Sequence, residues 1–273
     1  MKVQGIGTQI RQNICLAWQE FLHGTPNWPF MLAIGVAVFA LYQPAWNGGI
    51  LFDDTAHLTP PELSSLAGLR HIWSEPWKYL PVSHTLFWVL YQLVGLNTLY
   101  YHWVNLSLHV ACTLMIVVLL KRLKVSGAYL AGTLFALHPL HVESVAWISE
   151  IKTTLSGVLY LGAAWGYLNF DETRKKRYYV LALGLFGLSL LAKPVSVTLP
   201  VVLLILFWSQ RQTLSWRRDI APTIPLFVAS LAVGCLLTFG EQQHVALLPN
   251  GNFSFSLAQR CLVAGRVFWF YLT

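Results

Sequence analysis

Two adjacent carboxylates, Asp53 and Asp54, follow Gly48-Gly49-Ile50-Leu51-Phe52 just beyond the first long apolar stretch. An ionisable pair at that depth is costly unless it faces water, a cation or a partner. Asp is also common at loop starts, where it hydrogen-bonds nearby backbone. Position alone leaves a turn and a chemical site equally open.

The densest polar knot is HPLHVESVAW, residues 138 to 147. His138 and His141, at i and i+3, share a helical face, whereas His141 and Glu143 are two apart and do not. With Glu150 and Lys152, this group has the types to hold a phosphate or a metal. A capped, hydrogen-bonded re-entrant loop is the competing reading. Lys193-Pro194 places a lone cation where proline breaks a helix. It either snorkels to headgroups or offers a point charge to a lipid phosphate. Tyr79, His84, His102, Asn105 and His109 make a second polar line, the last three on one helical face. Helix packing by hydrogen bonds and the lining of a cavity both account for it.

These groups need elements to hold them. The chain is 56% hydrophobic and 11% charged, against roughly 25% charged in ordinary domains. Twelve Trp and 15 Phe add the aromatic load of membrane interfaces. An all-α integral membrane protein follows. The net charge of +7 needs no nucleic acid, because basic residues at helix ends account for it. Cys15, Cys112, Cys235 and Cys261 show no CxxC or ligand spacing and read as reduced, apolar-surrounded thiols. The N-terminus has no apolar core followed by a cleavage site. Ile10, Ile14, Ala17 and Phe21 recur at helical spacing, so residues 9 to 22 read as an amphipathic helix within an N-terminal segment, 1–27.

Residues 28–273 read as one transmembrane domain of about seven or eight spans. Span one runs over Trp28 to Trp46, and a long loop, 47 to 99, holds a short interfacial helix at Thr85 to Leu96. Further spans cover Tyr100 to Leu120, Ser126 to Leu137, Thr154 to Phe170, Tyr178 to Ala192, Val195 to Trp208 and Pro222 to Phe239. Leu257 to Thr273 begins another helix. The N-terminus and the connections at 121 to 124, 171 to 177 and 209 to 219 hold most of the 18 Lys and Arg. That pattern makes those connections cytoplasmic. Asp53, Asp54, residues 141 to 152 and Lys193 then share the opposite face. No GxxxxGK[ST], HExxH or GxSxG motif and no 30- to 45-residue repeat is evident.

FDDTAHLT, YLPVSHTLFW, YHWVNLSLHV, FALHPLHVESVAWISEIK and LLAKPVSVTLPVVLLILFW occur in that order. Together they resemble the membrane domain of the transmembrane and tetratricopeptide-repeat proteins, in a bacterial-type member, strongly over Leu51 to Leu204. The resemblance implies a GT-C glycosyltransferase fold: a multi-span helical bundle with a long first extracytoplasmic loop containing interfacial helices. It implies a donor sugar on polyprenyl phosphate, mannose in eukaryotic relatives, delivered with inversion to Ser or Thr of extracytoplasmic protein. A bacterial inner membrane is the expected location, with the active face extracytoplasmic. Expected partners are membrane lipid, the donor, a protein acceptor and other subunits of a membrane complex.

By the same resemblance, Asp53 and Asp54 match the acidic pair of the first extracytoplasmic loop, where one carboxylate acts as general base. They are also the candidate ligands of a divalent cation, Mg or Mn. His138, His141, Glu143, Glu150 and Lys152 match the second loop, and Lys193 its Lys-Pro motif, as donor phosphate or sugar contacts. The family's Glu-Arg-Lys-Asp is Glu150-Ile151-Lys152-Thr153 here, and its Arg-Pro or His-Pro is Leu80-Pro81. The family continues into more spans and a repeat domain, whereas this sequence ends inside a helix. The chemistry is coherent: a carboxylate taking the hydroxyl proton is worth about 10²- to 10⁴-fold. Lysines or a cation would stabilise the leaving phosphate. The alternative is an inactive GT-C-fold subunit or scaffold, motivated by Ile151 and Thr153. A transporter ranks last, since no inverted repeat is evident.

Overall fold

The computed structural model describes residues 27–58, 61–76, 78–246 and 256–270. The amphipathic helix expected at 9 to 22 lies outside the described residues. Among them the regular elements are helical: α1 (Trp28–Leu41), α2 (Asp54–Leu58), α3 (Leu66–Ser74), α4 (Pro81–Val94), α5 (Thr98–Arg122) and α6 (Ala128–Leu137). Then follow α7 (Val142–Ala146), α8 (Ile151–Thr173), α9 (Lys176–Ala192), α10 (Leu199–Arg211), α11 (Ile224–Ala246) and α12 (Leu257–Phe270). Short 3₁₀ turns, among them Ile148–Glu150 and Pro194–Thr198, join several of these.

Local chemistry sets the boundaries. Asn97 caps α5, its side chain accepting the Leu99 N–H at 3.3 Å. Pro81 opens α4, where its missing N–H is no loss. Helix α9 stops at Ala192 because Lys193 is extended (φ −155°, ψ 127°), the conformation that a following proline enforces.

Three stretches among the described residues are long and apolar enough to cross a membrane: Thr98–Arg122, Pro194–Arg211 and Trp216–Thr238. This is a membrane protein, with several helices shorter than the apolar runs suggest. Helix α1 has 14 residues, about 21 Å at 1.5 Å each, against a hydrocarbon core of about 30 Å. It ends at Leu41 rather than Trp46 because Pro44 sits in a 3₁₀ turn, Gln43–Ala45.

The centre is built on α5, α8 and α9. A side chain on Gly166 would meet the Ala182 backbone at about 3.3 Å, so glycine lets α8 and α9 lie close. Phe186, Leu190, Leu203 and Phe207 fill the core beside them. The Ser189 hydroxyl donates to the Ser156 carbonyl at 2.9 Å, a further tie between the two helices.

Helix α8 has 23 residues, so its ends stand roughly 34 Å apart. At its far end Arg211 forks between Asp171 and Asp219, and Arg174 donates to Asp171 at 2.6 Å. Both acids are buried. The loops read as merely cation-rich thus hold a partly buried ion network.

Candidate functional site

Asp53 and Asp54 do different work. Asp54 is 1% exposed. Its Oδ2 accepts the Leu51 N–H at 2.9 Å and its Oδ1 accepts the Ser149 N–H at 2.7 Å. It clips the first loop onto the turn before α8, so the turn reading holds for Asp54. Asp53 is exposed. Phe52, between the glycines and the pair, has φ 41°, an outlier for a bulky residue. Its exposed ring meets Trp147 edge-on at 6.5 Å.

Behind the pair lies a cluster from four segments. Glu150 Oε2 accepts from Lys193 Nζ at 2.8 Å, and its Oε1 lies 3.7 Å from Lys152 Nζ. The Thr153 hydroxyl donates to the same carboxylate and accepts from Lys193. Lys152 Nζ is 3.3 Å from His57 Nε2, and His57 Nδ1 is 3.4 Å from His84 Nε2. The Ser83 hydroxyl donates to the Ala192 carbonyl at 2.8 Å, tying α4 to the end of α9 beside Lys193.

The charges are arranged unequally. Burial, then the Lys152 ammonium and His84, push the His57 imidazole down to about 4, against opposing pulls from Asp53 and Glu150. Burial raises the Glu150 carboxyl, but hydrogen bonds from Lys193 and Thr153 and both ammonium charges outweigh it and hold it below its usual range. Two cations therefore share one carboxylate, with a neutral imidazole beside them. Ammonium groups of this kind are the donors that phosphate recognition uses.

The 138 to 147 turn is organised separately. His138 Nδ1 accepts the Leu140 N–H at 3.2 Å, which makes it a cap. His141 packs on Phe135, with ring centres 4.3 Å apart, and on His109. Burial, then His138, holds the His141 imidazole below its usual range. Glu143 is exposed. The contacts of His138 and His141 share no partner with those of Lys152 and Lys193, so the structure divides the expected phosphate group in two. Asn105 joins the halves: its amide donates to the carbonyls of Ser144, Val145 and Trp147, and its oxygen accepts from Thr154 at 2.6 Å. His109 bonds the Ala136 carbonyl at 3.0 Å. For these two the packing reading holds. An apolar cavity of about 360 Å³ lies beside the turn, lined by Tyr42, Pro44, Leu137, Pro139 and Val142 among others.

A divalent cation on Asp53 and Asp54 does not fit well. Both Asp54 oxygens already accept backbone N–H groups. Among the described residues no three of His, Cys, Asp and Glu converge as a ligand set.

His57 was not among the sequence candidates. Its one signal is spacing, four residues after Asp53 and three after Asp54, whereas its partners lie 27 and 95 residues away. Thr153, read as the loss of an acid, instead completes the Glu150–Lys193 contact. Ile151 is fully buried beside Leu58, Phe87 and Tyr101, so no cation stands there.

Three relatives place the chain among known proteins. It is 29% identical over 177 residues to Protein O-mannosyl-transferase Tmtc1 of Drosophila melanogaster, covering 59% of this chain and 20% of that protein. It is 34% identical over 207 residues to a protein O-mannosyl-transferase of Caenorhabditis elegans, covering 69% and 29%. It is 37% identical over 98 residues to Protein O-mannosyl-transferase tmtc2 of Xenopus laevis, covering 35% and 12%. No family model matches the chain, and no solved structure matches it. The chain spans less than a third of the length of these relatives, and its homologues are protein O-mannosyl-transferases.

Proposed function

We propose that this chain carries the site of a GT-C glycosyltransferase of the transmembrane and tetratricopeptide-repeat family. It moves mannose from a polyprenyl-phosphate donor to Ser or Thr hydroxyls of extracytoplasmic protein. One observation carries the reading: Lys152 and Lys193 converge on the single Glu150 carboxylate, next to the loop that bears Asp53. The relatives, protein O-mannosyl-transferases by name, support the reaction type.

The exposed Asp53 carboxylate takes the acceptor proton as the hydroxyl oxygen attacks the anomeric carbon. The bond from that carbon to the phosphate oxygen breaks on the opposite side, and the phosphate leaves with the electron pair, so the centre inverts. Lys152 and Lys193 face the developing charge, where preorganised donors act most strongly. Asp54 holds the loop in place. His138, His141 and Glu143 serve the sugar or acceptor from the turn that Asn105 fixes, and the apolar cavity beside it suits the donor's hydrocarbon. The bundle has seven to eight spans in a bacterial inner membrane, with this site on the extracytoplasmic face.

The test is label transfer from radiolabelled polyprenyl-phosphate mannose to a secreted Ser/Thr-rich acceptor, using purified protein in nanodiscs. Wild type labels the acceptor, and Asp53→Asn and Lys193→Met lose most of that activity. Full transfer by both variants would overturn the assignment. A non-catalytic subunit is the second reading, favoured by the apolar burial of Ile151. Any transfer that depends on Asp53 removes it.

A further inference from the structure

Leu80, His84, His57 and Lys152 form a single file of hydrogen bonds across three segments of chain. His84 Nδ1 is 3.1 Å from the Leu80 carbonyl oxygen, His84 Nε2 is 3.4 Å from His57 Nδ1, and His57 Nε2 is 3.3 Å from Lys152 Nζ. The direction is forced from both ends. A carbonyl oxygen only accepts, so His84 carries its proton on Nδ1 and presents a bare Nε2. An ammonium only donates, so His57 presents a bare Nε2 to Lys152 and carries its proton on Nδ1. The two requirements meet in the middle, where His57 Nδ1–H donates to His84 Nε2. Both rings are neutral and share one tautomer.

Packing holds the file in register. His57 lies flat on Phe87, with ring centres 5.6 Å apart and planes 10° apart. His84 is buried and meets Tyr79 edge-on at 5.5 Å. Lys152 has three N–H donors. One points to His57 and one is shared toward Glu150 at 3.7 Å. A neutral acceptor orients the ammonium without cancelling its charge, which a carboxylate at position 57 would do. Because Glu150 is divided between two lysines, that carboxylate alone does not neutralise both ammoniums.

We infer that His57 and His84 are positioning residues, a two-imidazole relay anchored on the Leu80 carbonyl that aims the Lys152 ammonium at the donor's phosphate. The inference rests on the phosphate reading of the site given above. Neither imidazole touches the reacting atoms.

The experiment uses the full chain in nanodiscs. Nitrogen-15 NMR of the ring nitrogens at pH 7, with His57→Gln and His84→Gln assigning the signals, is expected to show both rings neutral and protonated on Nδ1. Protonation of either ring on Nε2, or a cationic His57, overturns the relay. Binding of polyprenyl phosphate then tests what the relay does. His84→Leu is expected to weaken it roughly two- to tenfold, the worth of one hydrogen bond. His84→Gln, which keeps an acceptor oxygen, restores it. In a His57→Gln background, where glutamine itself reaches Lys152, His84→Leu has no further effect. Equal losses in both backgrounds contradict the relay, because coupled residues must be non-additive. Unchanged binding by Lys152→Met overturns the phosphate reading instead, and the NMR tautomers still judge the relay's geometry on their own.

Discussion

Lys193 Nζ stands 2.8 Å from Glu150 Oε2, although the two residues are 43 positions apart, one just before α8 and the other just after α9. Lys152 approaches the other oxygen of the same carboxylate at 3.7 Å. One carboxylate thus serves two ammoniums, the contact on which the proposed phosphate role of both lysines rests.

Lys193→Met is therefore expected to weaken polyprenyl-phosphate binding by about 10- to 100-fold, the range of a charge-assisted hydrogen bond. Binding to nanodisc-held protein measures it. Lys193→Arg restores the charge but only part of the affinity, because a planar fork does not replace a compact ammonium.

The two aspartates separate by stability. Asp54→Asn leaves one backbone N–H facing an amide N–H and is expected to cost about 1–3 kcal/mol. Asp53→Asn removes an exposed group and leaves thermal unfolding in detergent unchanged. Equal destabilisation by both would show that Asp54 is not a clip.

Acid weakens the fold through His57. Its folded pKa of about 4 lies below its usual 6.5. The unfolded chain therefore binds the extra proton between those values, and stability falls as pH falls there. This contribution is complete above about pH 6.5 and drains as pH falls toward 4. The unfolding temperature at pH 5 should lie below that at pH 7.5, and His57→Gln should flatten the difference. Glu150, whose folded pKa is depressed, gives way at lower pH still.

A chelator such as EDTA is expected to leave transfer intact, since Asp54 is buried against backbone N–H groups and no three of His, Cys, Asp and Glu converge among the described residues. Loss of activity in EDTA, restored by Mg or Mn, would place a cation on Asp53.

Much of this was legible in the chain. The run from Tyr100 to Leu120 became α5, Thr98–Arg122, because length and apolarity are local properties. The interfacial helix expected from Thr85 is α4, Pro81–Val94, with proline setting its start. The densest motif is structurally engaged: His138 caps a turn and His141 packs on an aromatic ring, roles that composition does not separate from ligation. His57 passed unnoticed, and Thr153 was read only as a lost acid, because their significance lies in partners brought together only by folding. The Asp171–Arg211–Asp219 network was hidden for the same reason, its residues reading as helix-end charges.

The most direct test of the central claim is transfer of radiolabelled mannose from polyprenyl phosphate to a secreted acceptor by wild type and Asp53→Asn, compared at equal amounts of folded protein. The account predicts label on the acceptor with wild type and a loss of about 10²- to 10⁴-fold with Asp53→Asn, the worth of a general base. Wild-type transfer by Asp53→Asn would contradict it.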